Sequence, residues 1–225
     1  MPDRPRILVF DVNETLSDMA PMSERFEEVG AAAGDARLWF AGLLRDGFAL
    51  TAAGGWASFA EVGRAALIPV LEGRTLNRST QAAIDHIVSG PGELPLHADV
   101  VPGLRRLHAS GYALVTLTNG SVATTSALLA RAGVAELFTA TLSVDEPRVW
   151  KPGPAAYAYA ATVCDVAPAE LMLVAVHPWD IDGAARVGLS TAWINRGSAG
   201  YPGYLTPPTE IVDGLNQLAE VLATR

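Results

Sequence analysis

RILVFDVNETL, at residues 6–16, is the stretch that decides the fold. From Ile7 it is an unbroken apolar run that ends in Asp11, without the polar alternation of a half-exposed strand. Such a run is typical of a strand buried on both faces, as in a parallel sheet. Four similar runs follow along the chain, at YALVTLTN (112–119), LFTATLS (137–143), LMLVAV (171–176) and STAWI (190–194).

Helix-compatible stretches separate these runs, and several end in glycine, a common residue just past a helix. Strands that alternate with helices predict an α/β fold with a Rossmann-like, doubly wound parallel sheet. The segment from 19 to 96 breaks this alternation, because it is rich in Ala and Leu at helical spacing and has no buried strand. We therefore predict a core domain of residues 1–18 and 97–225, with a helical cap domain inserted at 19–96.

The composition limits the partners of the chain. Its 225 residues are 50% hydrophobic and carry a formal net charge of −8. The 16 lysines and arginines form no basic patch of the kind that duplex binding requires. No signal peptide or long apolar segment is recognisable, and the single cysteine, Cys164, cannot form an intramolecular disulfide. We expect a small-molecule substrate, no nucleic acid, no membrane and a cytoplasmic location, with a homodimer left open.

Polar residues follow the predicted strands at the points where chemistry collects in an open α/β sheet. They are Asp11 after the first run, Thr118 and Asn119 at the end of the second, Lys151 beyond the third, and His177 and Asp180 after the fourth, where Asp182 is expected to be only a helix-terminal charge. Each alone has an ordinary explanation as a turn residue, a helix cap or a surface charge. A parallel sheet brings all of these strand ends together, so the sequence predicts one site built from them.

Four stretches, taken in order, resemble the motifs of the haloacid dehalogenase superfamily. They are FDVNETL (10–16), VTLTNGS (115–121), VWKPGPAAY (149–157) and AVHPWDIDGA (175–184). The predicted helical segment lies where that family carries its cap domain, and the resemblance spans essentially the whole chain. It implies a hydrolase that forms a covalent ester on Asp11.

Two substitutions bear on which reaction the resemblance implies. Phosphoryl-transferring members usually carry a second aspartate two positions after the nucleophile, where this chain has Asn13, which cannot protonate a leaving oxygen. They also bind Mg²⁺ through acids of the fourth motif, and Ala175 stands where the first of those belongs. Both changes favour attack on carbon, as in the type II L-2-haloacid dehalogenase branch, with no metal or other cofactor.

That branch implies roles for individual residues. Asp11 is the nucleophile, Thr15 lies beside it, and Lys151 keeps it ionised by charge pairing. Asp180 contacts the lysine and orients the hydrolytic water. The remaining matches are Thr118 and Asn119, which hold the substrate carboxylate and the nucleophile, Tyr157, which matches a tyrosine of the branch, and Trp179, which supplies an apolar wall.

Other positions depart from the branch and leave alternatives open. Asn13 replaces a tyrosine, and Phe40 stands where the cap normally supplies an arginine for the departing halide. His177 replaces an asparagine and either activates the hydrolytic water or only forms hydrogen bonds. Glu14 is expected to be an acid in the first turn of a helix, although an acid–base role is open. These departures keep two alternatives, an atypical phosphatase and a binding protein that has lost turnover.

Overall fold

Six strands form one parallel sheet in the computed structural model, which describes residues 5–197 and 199–224. They are β1 (Ile7–Phe10), β2 (Ala113–Thr118), β3 (Phe138–Ser143), β4 (Leu171–Ala175), β5 (Ser190–Ile194) and β6 (Glu210–Val212). Their order across the sheet is β3-β2-β1-β4-β5-β6, and every neighbouring pair is parallel. The predicted doubly wound sheet is confirmed. Strand β6 was not predicted, because its three residues at the edge of the sheet form no buried apolar run.

Nine α-helices accompany the sheet within these residues. They are α1 (Met22–Glu27), α2 (Asp35–Ala52), α3 (Phe59–Leu71), α4 (Thr80–Ser89), α5 (Val100–Ala109), α6 (Val122–Arg131), α7 (Pro154–Cys164), α8 (Pro178–Val187) and α9 (Leu215–Ala223). None of the helices among the described residues is both long and apolar enough to cross a bilayer.

The sheet separates two apolar layers, as its doubly wound topology requires. Leu8 and Phe10 of β1 pack in the layer that contains α5, α6 and α9. Val9, between them in sequence, packs on the opposite side with α7 and α8. Successive side chains of a strand point to opposite faces, so a strand covered on both faces needs the unbroken apolar run seen at residues 7–10.

Helices α1 to α4 form the insert between β1 and β2 and share an apolar cluster of their own. Trp150, from the loop before Lys151, is buried in that cluster. Its indole Nε1 donates to the carbonyl of Ala57 at 3.0 Å, and its ring stacks on Phe59. The insert therefore holds the loop that carries Lys151. The domain boundaries at 18/19 and 96/97 stay a prediction.

The approach of α2 to Trp150 gives a prediction about stability. Gly47 is buried, and a Cβ at this position would clash with the Trp150 ring. We expect Gly47→Ala to lower the free energy of unfolding by about 1–3 kcal/mol, the usual cost of overpacking. Denaturant unfolding monitored by circular dichroism measures it.

Gly42 is the matched control on the same helix. A Cβ there meets only the Arg45 guanidinium, at 4.0 Å. Because alanine favours helix over glycine, Gly42→Ala should raise the free energy of unfolding by up to about 1 kcal/mol. Equal effects of the two substitutions would contradict the packing described for Gly47.

Candidate active site

The crevice at the carboxyl ends of β1, β2 and β4 brings the predicted site residues together. Asp11 follows β1, which pairs with β2 on one side and β4 on the other. Asn119 follows β2, and His177 lies just beyond β4. The strand order reverses direction at β1, and open α/β sheets bind ligands at such a point.

Asp11 is buried and both of its carboxylate oxygens are hydrogen-bonded. Oδ1 accepts from Lys151 Nζ at 2.8 Å, and Oδ2 accepts from the Thr15 hydroxyl at 2.6 Å. Burial by itself raises the pKa of Asp11, but the Lys151 charge and these hydrogen bonds outweigh it, so the pKa is lowered. The lysine and the two hydrogen bonds therefore favour the ionised form of the carboxylate.

Lys151 lies between two carboxylates and is fully buried. Its Nζ donates to Asp11 and, at 2.6 Å, to Oδ2 of Asp180. Burial alone lowers the pKa of the lysine, whereas the charges of Asp11 and Asp180 raise it, and the net pKa is raised. The Lys151 backbone is held by Asn119, whose Oδ1 accepts from the lysine N–H at 2.9 Å. Asn119 therefore positions the lysine.

Asp180 lies in the first turn of α8 with no exposed surface. Its Oδ1 accepts from the Tyr157 hydroxyl at 2.6 Å, and its Oδ2 accepts from Lys151. Burial and the Asp11 charge together raise the pKa of Asp180 despite the lysine. Burial and the Asp180 charge hold the pKa of Tyr157 well above its usual range. Asp180 is thus the more basic of the two carboxylates, with Tyr157 as a neutral donor beside it.

His177 lies on the other side of Asp11. Its Nε2 is 3.2 Å from the carbonyl oxygen of Asn13, 3.6 Å from Glu14 Oε2 and 3.8 Å from Asp11 Oδ2. The ring stacks on Trp179 at a centroid distance of 4.9 Å. Because Trp179 also contacts Phe48 of α2, the imidazole is held from the cap side as well.

The expectation for Glu14 was wrong. Glu14 lies in a turn with φ +63°, not in the first turn of a helix. The N–H groups of Leu16 and Ser17 both donate to the Val12 carbonyl, and Ser17 then bridges to Leu96. The bridge between Ser17 and Leu96 ends the turn, so the chain does not continue as a helix after Glu14. The Glu14 side chain instead lies beside His177.

Two cavities divide the predicted substrate-binding residues, and residues next to Asp11 in the chain line them: Val12 and Asn13 line one, and Glu14 lines the other. Asn13 and Thr118 border a cavity of about 260 Å³. Phe40 borders a larger one of about 700 Å³, together with Glu14 and His177. Phe40 therefore does not border the cavity that Thr118 borders.

Two aromatic residues of the insert also border the smaller cavity. Trp39 of α2 and Phe59 of α3 line it, as Thr118 does. Trp39 is buried and its Nε1 donates to the Gly63 carbonyl, so a packing role is also present. A helical pattern shows which residues are apolar, whereas only the packing of the cap on the sheet shows which of them reach the site.

Known proteins resemble the chain along its whole length. Residues 5–188 match the model of the haloacid dehalogenase-like hydrolases. The (S)-2-haloacid dehalogenase 1 of Pseudomonas sp. (strain CBS-3) is 30% identical, covering 96% of both chains. The (S)-2-haloacid dehalogenase 4A of Burkholderia cepacia is 30% identical, covering 99% of this chain and 97% of its own.

A solved structure agrees with these relatives. The L-2-haloacid dehalogenase of Xanthobacter autotrophicus, with chloropropionic acid covalently bound, superposes with a TM-score of 0.89. It is 25% identical, and the match covers 97% of this chain and 98% of the other. A family match over most of the chain, together with relatives at 30% identity, shows that the protein belongs to the haloacid dehalogenase-like hydrolases.

Proposed function

We propose that this hydrolase removes the halogen from small 2-haloacids through a covalent ester on Asp11. The observation that carries the proposal is the buried Asp11 carboxylate, which Lys151 and Thr15 orient and keep ionised. Relatives named (S)-2-haloacid dehalogenases support the substrate class.

In the first step, an Asp11 oxygen attacks the carbon that bears the halogen, from the side opposite the halogen. The new O–C bond forms as the carbon–halogen bond breaks, and the halide leaves with both bonding electrons. No proton is needed, so the main requirement is an ionised carboxylate held in line with the reacting carbon. Backside attack inverts that carbon, so an (S)-substrate should give an (R)-2-hydroxy acid.

In the second step, water attacks the carbonyl carbon of the Asp11 ester. The bond from that carbon to the ester oxygen, which came from Asp11, breaks; this oxygen takes up the proton that the water loses and leaves as the hydroxyl of the 2-hydroxy acid, and an oxygen from water restores the Asp11 carboxylate. The Lys151 ammonium is placed to stabilise charge that develops on the oxygen it contacts. Asp180 is the residue we assign to orient and deprotonate the water, because it shares the Lys151 ammonium with Asp11, at 2.6 Å from Nζ.

The smaller cavity is the place we assign to the substrate's carboxylate and short carbon chain. Thr118 and Asn13 border it, and it lies at the amino end of α6, whose dipole favours an anion. Its volume of about 260 Å³ and the walls formed by Trp39 and Phe59 favour acids with few carbons.

The donor set beside Asp11 favours a mechanism without a metal. A hard cation needs several oxygen ligands. Oxygens of Asn13, Glu14 and Asp11 are present and could act as such ligands, but they surround Nε2 of His177.

No observation favours the alternative phosphatase, whose acid and metal ligand are missing at Asn13 and Ala175. The cytoplasmic location and the homodimer stay predictions.

A substrate panel tests the proposed function. We expect halide release from chloroacetate and (S)-2-chloropropionate at rates unaffected by EDTA, and no phosphate release from phosphate monoesters. Halide ions and phosphate are measured separately by ion chromatography. EDTA-sensitive phosphate release without halide release would contradict the proposal.

A further inference from the structure

We propose that His177 receives the departing halide as a hydrogen-bond donor through Nε2. The inference rests on the proposed dehalogenase function and deepens it. It gives His177 a part in the first step, whereas Asp180 acts in the second. Three observations carry it: the groups around Nε2, the position of the ring next to a cavity, and the walls of that cavity.

The groups around Nε2 fix a hydrogen on this atom. The Asn13 carbonyl and the Glu14 and Asp11 carboxylates lie between 3.2 and 3.8 Å from it. All three are acceptors, so Nε2 carries a hydrogen and faces them as a donor. The contact with the Asn13 carbonyl is long, at 3.2 Å, and a halide would share or take over this single hydrogen. A base would need a lone pair on the atom that faces the reacting groups. The surroundings therefore favour donation by His177 over activation of water.

His177 is also the basic side chain that a substrate atom can reach. Among the described residues, the Asp11 carboxylate has two basic side chains within 4.0 Å, Lys151 and His177. Lys151 is fully buried, and its Nζ already contacts two carboxylates. The His177 side chain is 11% exposed and borders the cavity of about 700 Å³.

The distances suit a group that leaves from the carbon under attack. In a near-attack arrangement the oxygen and the carbon are about 3–3.5 Å apart, and the halogen lies one bond further on. Nε2 is 3.8 Å from Asp11 Oδ2, so a donor at this position lies within reach of that region. Stacking on Trp179 fixes the plane of the ring.

The larger cavity has other basic residues in its lining, Arg37, His97 and Arg196, but among the described residues none of these three is paired with Asp11. Phe40 and Leu44 of α2 contribute apolar surface. Arg45 is exposed and pairs with Asp46, so it does not line the cavity. Arg196 lines it, but its guanidinium already donates to Asp99 and to the Thr15 carbonyl. His177 is thus the donor of this lining that lies within 4.0 Å of Asp11, beside the apolar surface of Phe40 and Leu44.

The test compares leaving groups in His177→Leu, His177→Gln and the wild type. The value of kcat/KM for fluoroacetate, chloroacetate and bromoacetate reports the steps up to halide release. Fluoride is the poorest leaving group and the strongest hydrogen-bond acceptor of the three. We expect His177→Leu to lose about 100-fold or more on fluoroacetate, the size of a lost transition-state donor, and about 10-fold or less on bromoacetate. His177→Gln, which keeps an N–H, should recover part of the fluoroacetate loss.

Other outcomes would overturn the inference and can be told apart. Equal losses on the three substrates would show that His177 does not meet the leaving group. A stoichiometric burst of halide followed by accumulation of the Asp11 ester would place His177 in the hydrolytic step instead. Absence of halide release by the wild-type enzyme on all three substrates would instead remove the proposed function. Circular dichroism of both variants shows whether the fold is retained.

Discussion

Asp11→Asn is expected to lower halide release by at least about 10⁴-fold, the scale seen when a covalent nucleophile is removed. The amide keeps the shape of the side chain but cannot form the ester by displacing halide. The substitution removes one of the two carboxylates that Lys151 contacts, but the lysine keeps its contact with Asp180 and stays paired. We therefore expect a folded protein without turnover, measured by halide release at saturating substrate.

Asp182→Asn is the control for this substitution, on the same helix as Asp180. Asp182 accepts from Arg186 Nε at 2.8 Å, a bond that contributes most to lowering its pKa to about 2. It also accepts from the Thr206 N–H. These contacts lie away from the nucleophile, so Asp182→Asn should keep wild-type turnover. Full activity of Asp11→Asn would remove Asp11 from the mechanism.

Lys151→Met should lower the free energy of unfolding at pH 7 by about 3–5 kcal/mol, because it leaves buried charge without its partner. Methionine has a similar length but no charge, so Asp11 and Asp180 would be buried side by side. Turnover should fall as well, since Asp11 would lose the charge that keeps its pKa low. Chemical denaturation and halide release measure the two effects.

The pH dependence of this variant has a definite sign. Without the lysine, burial raises the pKa values of Asp11 and Asp180 in the folded state above their unfolded values. The folded protein then binds more protons than the unfolded chain, so stability falls as the pH rises and is partly regained below neutral pH. Arg6→Met, which breaks an exposed pair with Glu170, should leave the unfolding curve unchanged. A Lys151→Met protein as stable as the wild type at pH 7 would contradict the account.

The sequence predicted the framework of the site because strand ends can be recognised locally. Asp11 and His177 follow apolar runs that only a buried parallel strand explains. The register of such a sheet places these ends side by side. Lys151 was found by its motif, although its contact with two carboxylates depends on a loop that Trp150 and Asn119 hold in place.

Other features could not be predicted because they depend on contacts between distant parts of the chain. The left-handed turn at Glu14 is associated with the pairing of Ser17 and Leu96. The lining of the smaller cavity by Trp39 and Phe59 depends on how α2 and α3 pack over the sheet. The residue pattern within a single helix or strand predicts neither the Ser17–Leu96 pairing nor the packing of α2 and α3 over the sheet.

The central claim is the ester on Asp11, and isotope labelling tests it most directly. A single turnover with excess enzyme in H₂¹⁸O should place one ¹⁸O in the Asp11 carboxylate, because water attacks the carbonyl carbon of the ester. The hydroxyl oxygen of the product should be unlabelled, since it comes from Asp11. Mass spectrometry of the peptide that contains Asp11 and of the hydroxy acid measures both. An unlabelled peptide with ¹⁸O in the product hydroxyl would show direct attack by water on the substrate and contradict the account.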